Sequence, residues 1–132
     1  MCSSDLLHRR KKSKGVKEMP NFFAALQAVD HPLEPVFCGA NERPVQEREQ
    51  WSSACNFFTV RPGVGITYAR NEATLRELEQ AGYRIVTAVN LLTGEEWLED
   101  KDRGVITIEG SELVRGGGGP RCMTLPLRRD DL

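Results

Sequence analysis

The stretch from Phe57 to Val89 constrains the fold most. Phe57-Phe58-Thr59-Val60 and Val64-Gly65-Ile66-Thr67-Tyr68-Ala69 are rich in aromatic and β-branched side chains, which suit extended backbone. Arg61-Pro62-Gly63 joins them, and a Pro-Gly pair suits a tight turn because Pro presets φ and Gly accepts a positive one. Asn71 is expected to cap a helix running to about Ala81, with Leu75, Leu78 and Ala81 on one face and Gly82 as its C′ residue. Tyr83 to Val89 returns to a β-branched strand. The order strand–strand–helix–strand marks an α/β chain, and the last strand is expected to return beside an earlier one by a right-handed crossover.

The flanks read more simply. Phe22 to Val29 has apolar residues at helical spacing behind the N-cap candidate Asn21, and it stops at Asp30-His31-Pro32, since a residue before Pro disfavours helix. Pro35-Val36-Phe37-Cys38 reads as a short strand and Gly39 to Pro44 as a loop. Glu47-Arg48-Glu49-Gln50-Trp51 is dense in charge and ends on an aromatic. Residues 90–104 are polar, with Trp97 and Leu98 as isolated anchors. Val105 to Ile108 is another strand, and Cys122 to Leu127 reads as an edge-like one, because Pro126 cannot donate a ladder bond.

With 132 residues, 39% hydrophobic and 28% charged, the chain reads as one soluble domain with a modest core. No apolar run approaches the ~20 residues that cross a bilayer, and no apolar segment follows the N-terminal basic residues as in a signal peptide. The net charge of -1 divides unevenly: residues 1–19 hold six basic and two acidic side chains, and residues 20–132 carry a net charge of -5. The acidic body offers no extended nucleic-acid footprint, so the basic run is read as a solvated loop over residues 7–19. Met1 to Leu6 matches what GTG-TGC-TCT-TCC-GAT-CT encodes, the end of a common sequencing adapter. Residues 1–19 are therefore expected to be an assembly scar plus a basic loop, and residues 20–132 the folded part.

Cys122 is the sharpest chemical feature. It follows Gly116 to Gly119, Pro120 and Arg121; glycines let a backbone approach a ligand closely, and a cationic neighbour raises the thiolate fraction. Spacing alone still favours a buried structural cysteine. The glycine run lacks the Lys-Ser/Thr of a phosphate loop. His31 reads as an exposed loop histidine, Cys38 as core, and Cys55 as ambiguous. Glu47, Arg48 and Glu49 fit structural ion pairs or a solvated face better than an acid–base pair. The four cysteines show no CxxC and no zinc-like spacing, so no metal site is expected and a reducing, cytoplasmic setting fits.

Taken together, Glu47-Arg48-Glu49-Gln50-Trp51, Pro62-Gly63-Val64, Tyr68-Ala69-Arg70-Asn71, Gly110-Ser111-Glu112-Leu113 and Gly118-Gly119-Pro120-Arg121-Cys122-Met123 resemble the C-terminal third of bacterial arginine deiminases. The match runs in order over residues 20–132. The resemblance implies a pentein, a five-bladed α/β propeller, of which this chain holds about the last one to one and a half strand–strand–helix–strand blades. It implies Cys122 as nucleophile and the Gly116 carbonyl as a contact for the substrate ammonium. The implied reaction is hydrolysis of L-arginine to L-citrulline and ammonia, without metal or other cofactor.

The resemblance also implies what is missing. The family's base lies in an upstream His-x-Asp segment, and His31, followed by Pro32-Leu33, does not match it. The carboxylates that bind the guanidinium and the arginines that grip the substrate carboxylate belong to earlier blades. The chain alone is thus expected to be inactive and marginally stable, and its full-length parent a homo-oligomer that binds neither nucleic acid nor membrane. Three differences stand out: Gly117 where many members carry arginine, Ser52-Ser53-Ala54-Cys55-Asn56 after the tryptophan in place of a more polar run, and residues 90–104 as an apparent insertion. The alternatives are a sister guanidine-modifying pentein such as an amidinotransferase, and a non-catalytic binding module with a basic arm.

Overall fold

A computed structural model describes residues 6–8 and 17–128 and divides the chain into two units, one up to Pro35 and one from Val36 onward. In the first unit β1 (Leu6–His8) pairs antiparallel with β2 (Lys17–Met19), beside α1 (Phe22–Gln27). The loop expected over residues 7–19 is therefore bracketed by a two-stranded ribbon, and its basic run from Arg9 to Lys14 lies outside the described residues. Asn21 caps α1 as expected, its Oδ1 accepting the Ala24 N–H at 2.9 Å.

The second unit contains α2 (Arg43–Trp51), β3 (Phe58–Arg61), β4 (Val64–Tyr68), α3 (Glu72–Gln80), β5 (Arg84–Thr87), α4 (Ala88–Thr93) and β6 (Gly104–Ile108), followed by two 3₁₀ turns, Leu113–Gly116 and Pro120–Met123. The sheet runs β3-β4-β6-β5, antiparallel between β3 and β4 and parallel elsewhere. The Pro62-Gly63 turn closes the β3–β4 hairpin, with Gly63 at φ +78°.

The sheet order corrects one expectation. β5 does not lie beside β4; β6 separates them and pairs with both, Val64 and Arg84 each opposite Gly104. β6 is buried from Gly104 through Thr107, and a strand apolar on both faces is best covered at the centre of a sheet. On one face Val64, Val86 and Ile106 form the core, with Ile66, Ala88, Leu91 and Leu98 packed against them. Leu98 is thus an anchor as read, whereas Trp97 is 63% exposed. Residues 90–104 are not uniformly loop, since α4 occupies their start, capped by the Thr87 hydroxyl.

Two further strand expectations fail. Pro35 to Cys38 forms no strand, because Phe37 stays 56% exposed and only Cys38 is buried. Cys122 to Leu127 is a 3₁₀ turn that runs into irregular chain. Pro120 opens the turn, and Leu125 and Leu127 are 80% and 92% exposed with no strand to pair with.

Helix α3 ends as its sequence indicates, in a Schellman closure in which Tyr83 N–H donates to the Leu78 carbonyl and Gly82 N–H to that of Glu79. Its start is a surprise. Asn71 occupies the cap position without capping: its Oδ1 accepts the Ser52 hydroxyl at 2.5 Å and its Nδ2 donates to the Ser52 carbonyl at 3.1 Å. The cap comes from Glu49 on α2. Its carboxylate accepts Ala73 N–H at 2.9 Å, Thr74 N–H at 2.8 Å and the Thr74 hydroxyl at 2.6 Å. A helix N-terminus offers free N–H groups and partial positive charge, so a carboxylate suits it. Burial pushes the Glu49 carboxyl upward, but the bonds from Thr74, Ala73 and Arg48 together outweigh it and hold the group below its ordinary value.

Two of the recognised segments meet at Gly110. A Cβ there would lie 2.3 Å from Cδ1 and 2.5 Å from Cε1 of Tyr68, which is 1% exposed. Gly110→Ala is expected to lower stability by about 2–3 kcal/mol through overpacking against a ring that cannot withdraw. Urea unfolding checks this; a midpoint equal to that of the unaltered chain would show that the ring yields.

Candidate active site

The turn Pro120–Met123 lies against β3 and β4 and presents Cys122 at the surface. The backbone makes this turn through Cys122 N–H to Gly119 O at 3.0 Å and Thr124 N–H to Arg121 O at 3.2 Å. The segment before it suits glycine at Gly118, where φ is +86° and a Cβ would lie 3.0 Å from Cys122 Cβ and 3.3 Å from Sγ. A side chain there would press on the sulfur. Spacing had favoured a buried cysteine at position 122; the structure places an exposed one.

The sulfur has a polar setting. Asn56 Nδ2 donates to Cys122 Sγ at 2.9 Å across 66 residues of sequence. The Cys122 thiol is held below its ordinary value first by the Gly119 backbone amide, then by the Asn56 amide, against a smaller opposing effect of burial. Arg121, the neighbour that sequence reasoning credited, contributes least. Its guanidinium turns to the Thr124 carbonyl at 3.4 Å. Hydrogen-bond donors to the charged form favour it, so this sulfur is tuned toward thiolate chiefly by neutral donors.

The other thiols differ. Cys38 is buried, as expected for core, and its Sγ accepts the Thr74 hydroxyl at 3.5 Å. Burial first, and the Cys38 thiol beside it second, push the Cys55 thiol up. Neither matches the activated setting of Cys122. No group of three or more His, Cys, Asp or Glu side chains among the described residues is arranged to hold a metal ion. Gly116 closes the first 3₁₀ turn, and the space its Cβ would occupy is open. Beside the glycine run an open cleft of about 490 Å³ is lined by Glu47, Gln50, Trp51, Ser53, Gly117 and Gly118. Glu47 also pairs with Arg43 at 2.9 Å on the exposed side of α2, and Glu49 is consumed by the α3 cap. The structural reading of the Glu47–Glu49 cluster is the one the geometry supports.

His31 is exposed in the first unit, and residues 36–132 contain no histidine, so the unit that carries Cys122 has no imidazole of its own. The residue that sequence reasoning missed is Asn56. It stands in a segment singled out only for its difference from relatives, and nothing local marks it as the partner of a cysteine 66 positions away.

The family model for arginine deiminase matches residues 5–129. The chain belongs to the arginine deiminase family. Similar family members include the arginine deiminase of Mycoplasma capricolum subsp. capricolum, 36% identical over 133 residues that cover 99% of this chain and 28% of that protein. That of Streptococcus equi subsp. zooepidemicus is 36% identical over 115 residues, 87% of this chain and 23% of the relative. That of Streptococcus uberis is 39% identical over 100 residues, 76% and 20% respectively. The chain thus spans less than a third of the length of each of these relatives. Among the described residues no helix is long and apolar enough to cross a membrane.

Proposed function

We propose that the protein to which this chain belongs is an arginine deiminase that hydrolyses L-arginine to L-citrulline and ammonia through a covalent amidino-cysteine on Cys122. One observation carries the assignment to Cys122: it is the described thiol that is both exposed and favoured as thiolate, through Gly119 and Asn56. A thiolate is the nucleophilic form, and a guanidinium carbon is a weak electrophile that needs one.

The Cys122 thiolate attacks the guanidinium carbon and forms a C–S bond. A proton passes to one terminal nitrogen and the C–N bond breaks, releasing ammonia and leaving an S-amidino adduct. Water adds to the same carbon and loses its protons, and the C–S bond breaks. Citrulline leaves and the thiolate returns, so one hard displacement becomes two easier ones. The proton transfers need a base, and the cation needs carboxylates; both are expected elsewhere in the parent protein. The Gly116 carbonyl is proposed to receive the substrate ammonium. The four-stranded α/β sheet is proposed as part of a pentein propeller. The free thiols fit a cytoplasmic setting, and the parent is proposed to be a homo-oligomer.

The test is acid quenching of the parent protein during turnover with arginine, followed by peptide mass mapping. The expected adduct on the peptide that carries Cys122 is arginine less ammonia, an S-linked N-alkyl amidino group that keeps the substrate's carbon chain, absent when arginine is omitted. The chain alone is expected to form no citrulline above background. Turnover without any adduct on Cys122, or turnover by the chain alone at the parent's rate, would overturn the reading.

A further inference from the structure

We propose that Asn56 is the positioning residue of the Cys122 sulfur: its side-chain amide, clamped by Gly119, presents an N–H donor that selects the thiolate and aims it. The inference rests on Cys122 being the nucleophile. The two ends of an amide are not equivalent to sulfur. Nδ2–H only donates and a thiolate only accepts, whereas Oδ1 would repel a thiolate and suit a neutral S–H. Asn56 turns its donor end to Sγ at 2.9 Å, and its Oδ1 is buried without a hydrogen-bond partner among the described residues. An amide that leaves its acceptor end unsatisfied to keep its donor end on sulfur is arranged for the charged form.

Two neighbours hold that orientation. A Cβ on Gly119 would lie 2.6 Å from Asn56 Cβ and 2.9 Å from both its Cγ and its carbonyl oxygen, so the turn backbone sits directly on the side chain. On the chain side, Asn56 N–H donates to Ser53 O at 3.0 Å in the turn that leaves α2, just before β3. That turn is fixed in its own right, because Ala54 N–H donates to the Glu49 carbonyl and Ala54 is fully buried. Adjacent glycines therefore have separate tasks: Gly118 makes room for the sulfur and Gly119 for the amide.

A neutral donor also fits the chemistry. The substrate is a cation that must approach the sulfur. A protein cation bonded to Sγ would stabilise the thiolate but repel the guanidinium at close range, where Coulomb energies are largest. An amide N–H stabilises the thiolate without adding net charge, and Arg121 is directed to a backbone carbonyl instead.

The test measures Cys122 alkylation by iodoacetamide, a neutral probe, across pH in this chain, with peptide mapping to separate Cys122 from the other cysteines. The unaltered chain is expected to show a midpoint below that of an ordinary thiol. Asn56→Ala is expected to move the midpoint upward and slow alkylation at neutral pH by about three- to tenfold, the range for the net worth of one ordinary hydrogen bond. Its plateau rate above the midpoint should equal or exceed that of the unaltered chain, since a more basic thiolate is the better nucleophile. Asn56→Asp keeps the shape and replaces the donor by a carboxylate, so its midpoint should rise further. Circular dichroism melts identify any loss of fold, and the isosteric Asp variant keeps the test decisive if the Ala variant unfolds. Unaltered pH profiles in both variants would overturn the role of Asn56 and leave Cys122 as nucleophile; an ordinary midpoint in the unaltered chain would overturn both.

Discussion

Glu49→Ala is expected to remove about 3–5 kcal/mol of folding stability, a large share of what a small domain possesses. The carboxylate receives two backbone N–H groups and a hydroxyl at the start of α3, and Glu49 is 1% exposed. Removal strands those donors in a site that water does not reach, and each stranded donor costs about 1–3 kcal/mol. It also uncouples α2 from α3, and with them the turn that carries Asn56. Glu49→Gln keeps the volume and one acceptor and should lose about half as much. The pH dependence follows from the direction of the shift. The folded carboxyl titrates below its ordinary value, so its contribution is full above the ordinary carboxylate range and is lost as pH falls through the lowered folded value. Denaturant midpoints measured from neutral to acid pH should therefore fall for the unaltered chain and fall less for Glu49→Gln. An Ala variant that unfolds at the unaltered midpoint would show that α3 finds its cap elsewhere.

This contact also marks where local sequence signals stop. The β3–β4 hairpin, the span of α3 and its closure at Gly82 were legible because each depends on residues a few positions apart: a Pro-Gly turn, an apolar face, a glycine past the last turn. The cap of α3 was not, because Asn71 carries every local mark of a cap while the donors go to a carboxylate 24 and 25 positions upstream. The central place of β6 was hidden for the same reason; its apolar residues mark a strand, and only competition for burial puts it between β4 and β5. Pro35 to Cys38 and Cys122 to Leu127 were misread because an apolar run implies a strand only where a partner edge exists. At the site the sequence marked Cys122 through its ordered motifs but credited the adjacent Arg121, when the groups with the largest effect are the Gly119 amide and an asparagine 66 positions upstream.

Cys122→Ser in the parent protein is expected to lower citrulline formation by about 10⁴-fold or more, the scale on which loss of a covalent nucleophile acts. The size follows from ionisation as much as from the change of atom. The Gly119 and Asn56 donors bring an already acidic thiol toward its charged form, but a serine hydroxyl starts far above any pH at which one or two hydrogen bonds could ionise it. A hydroxyl nucleophile needs a base against its oxygen, and the groups that meet the side chain of residue 122 here, the Gly119 and Asn56 amides, donate protons and accept none. Cys55→Ser is the matched control. It changes the same atom at a thiol that is pushed up rather than down, and it should leave turnover within about twofold, because it is the amide of the next residue, Asn56, that meets the Cys122 sulfur. Steady-state citrulline assays on the two variants, with circular dichroism to confirm equal folding, separate nucleophile from bystander. Retention of even a few per cent of the parent rate by Cys122→Ser would move the covalent step to another residue, and the Asn56–Sγ contact would then be only a packing detail of the 3₁₀ turn.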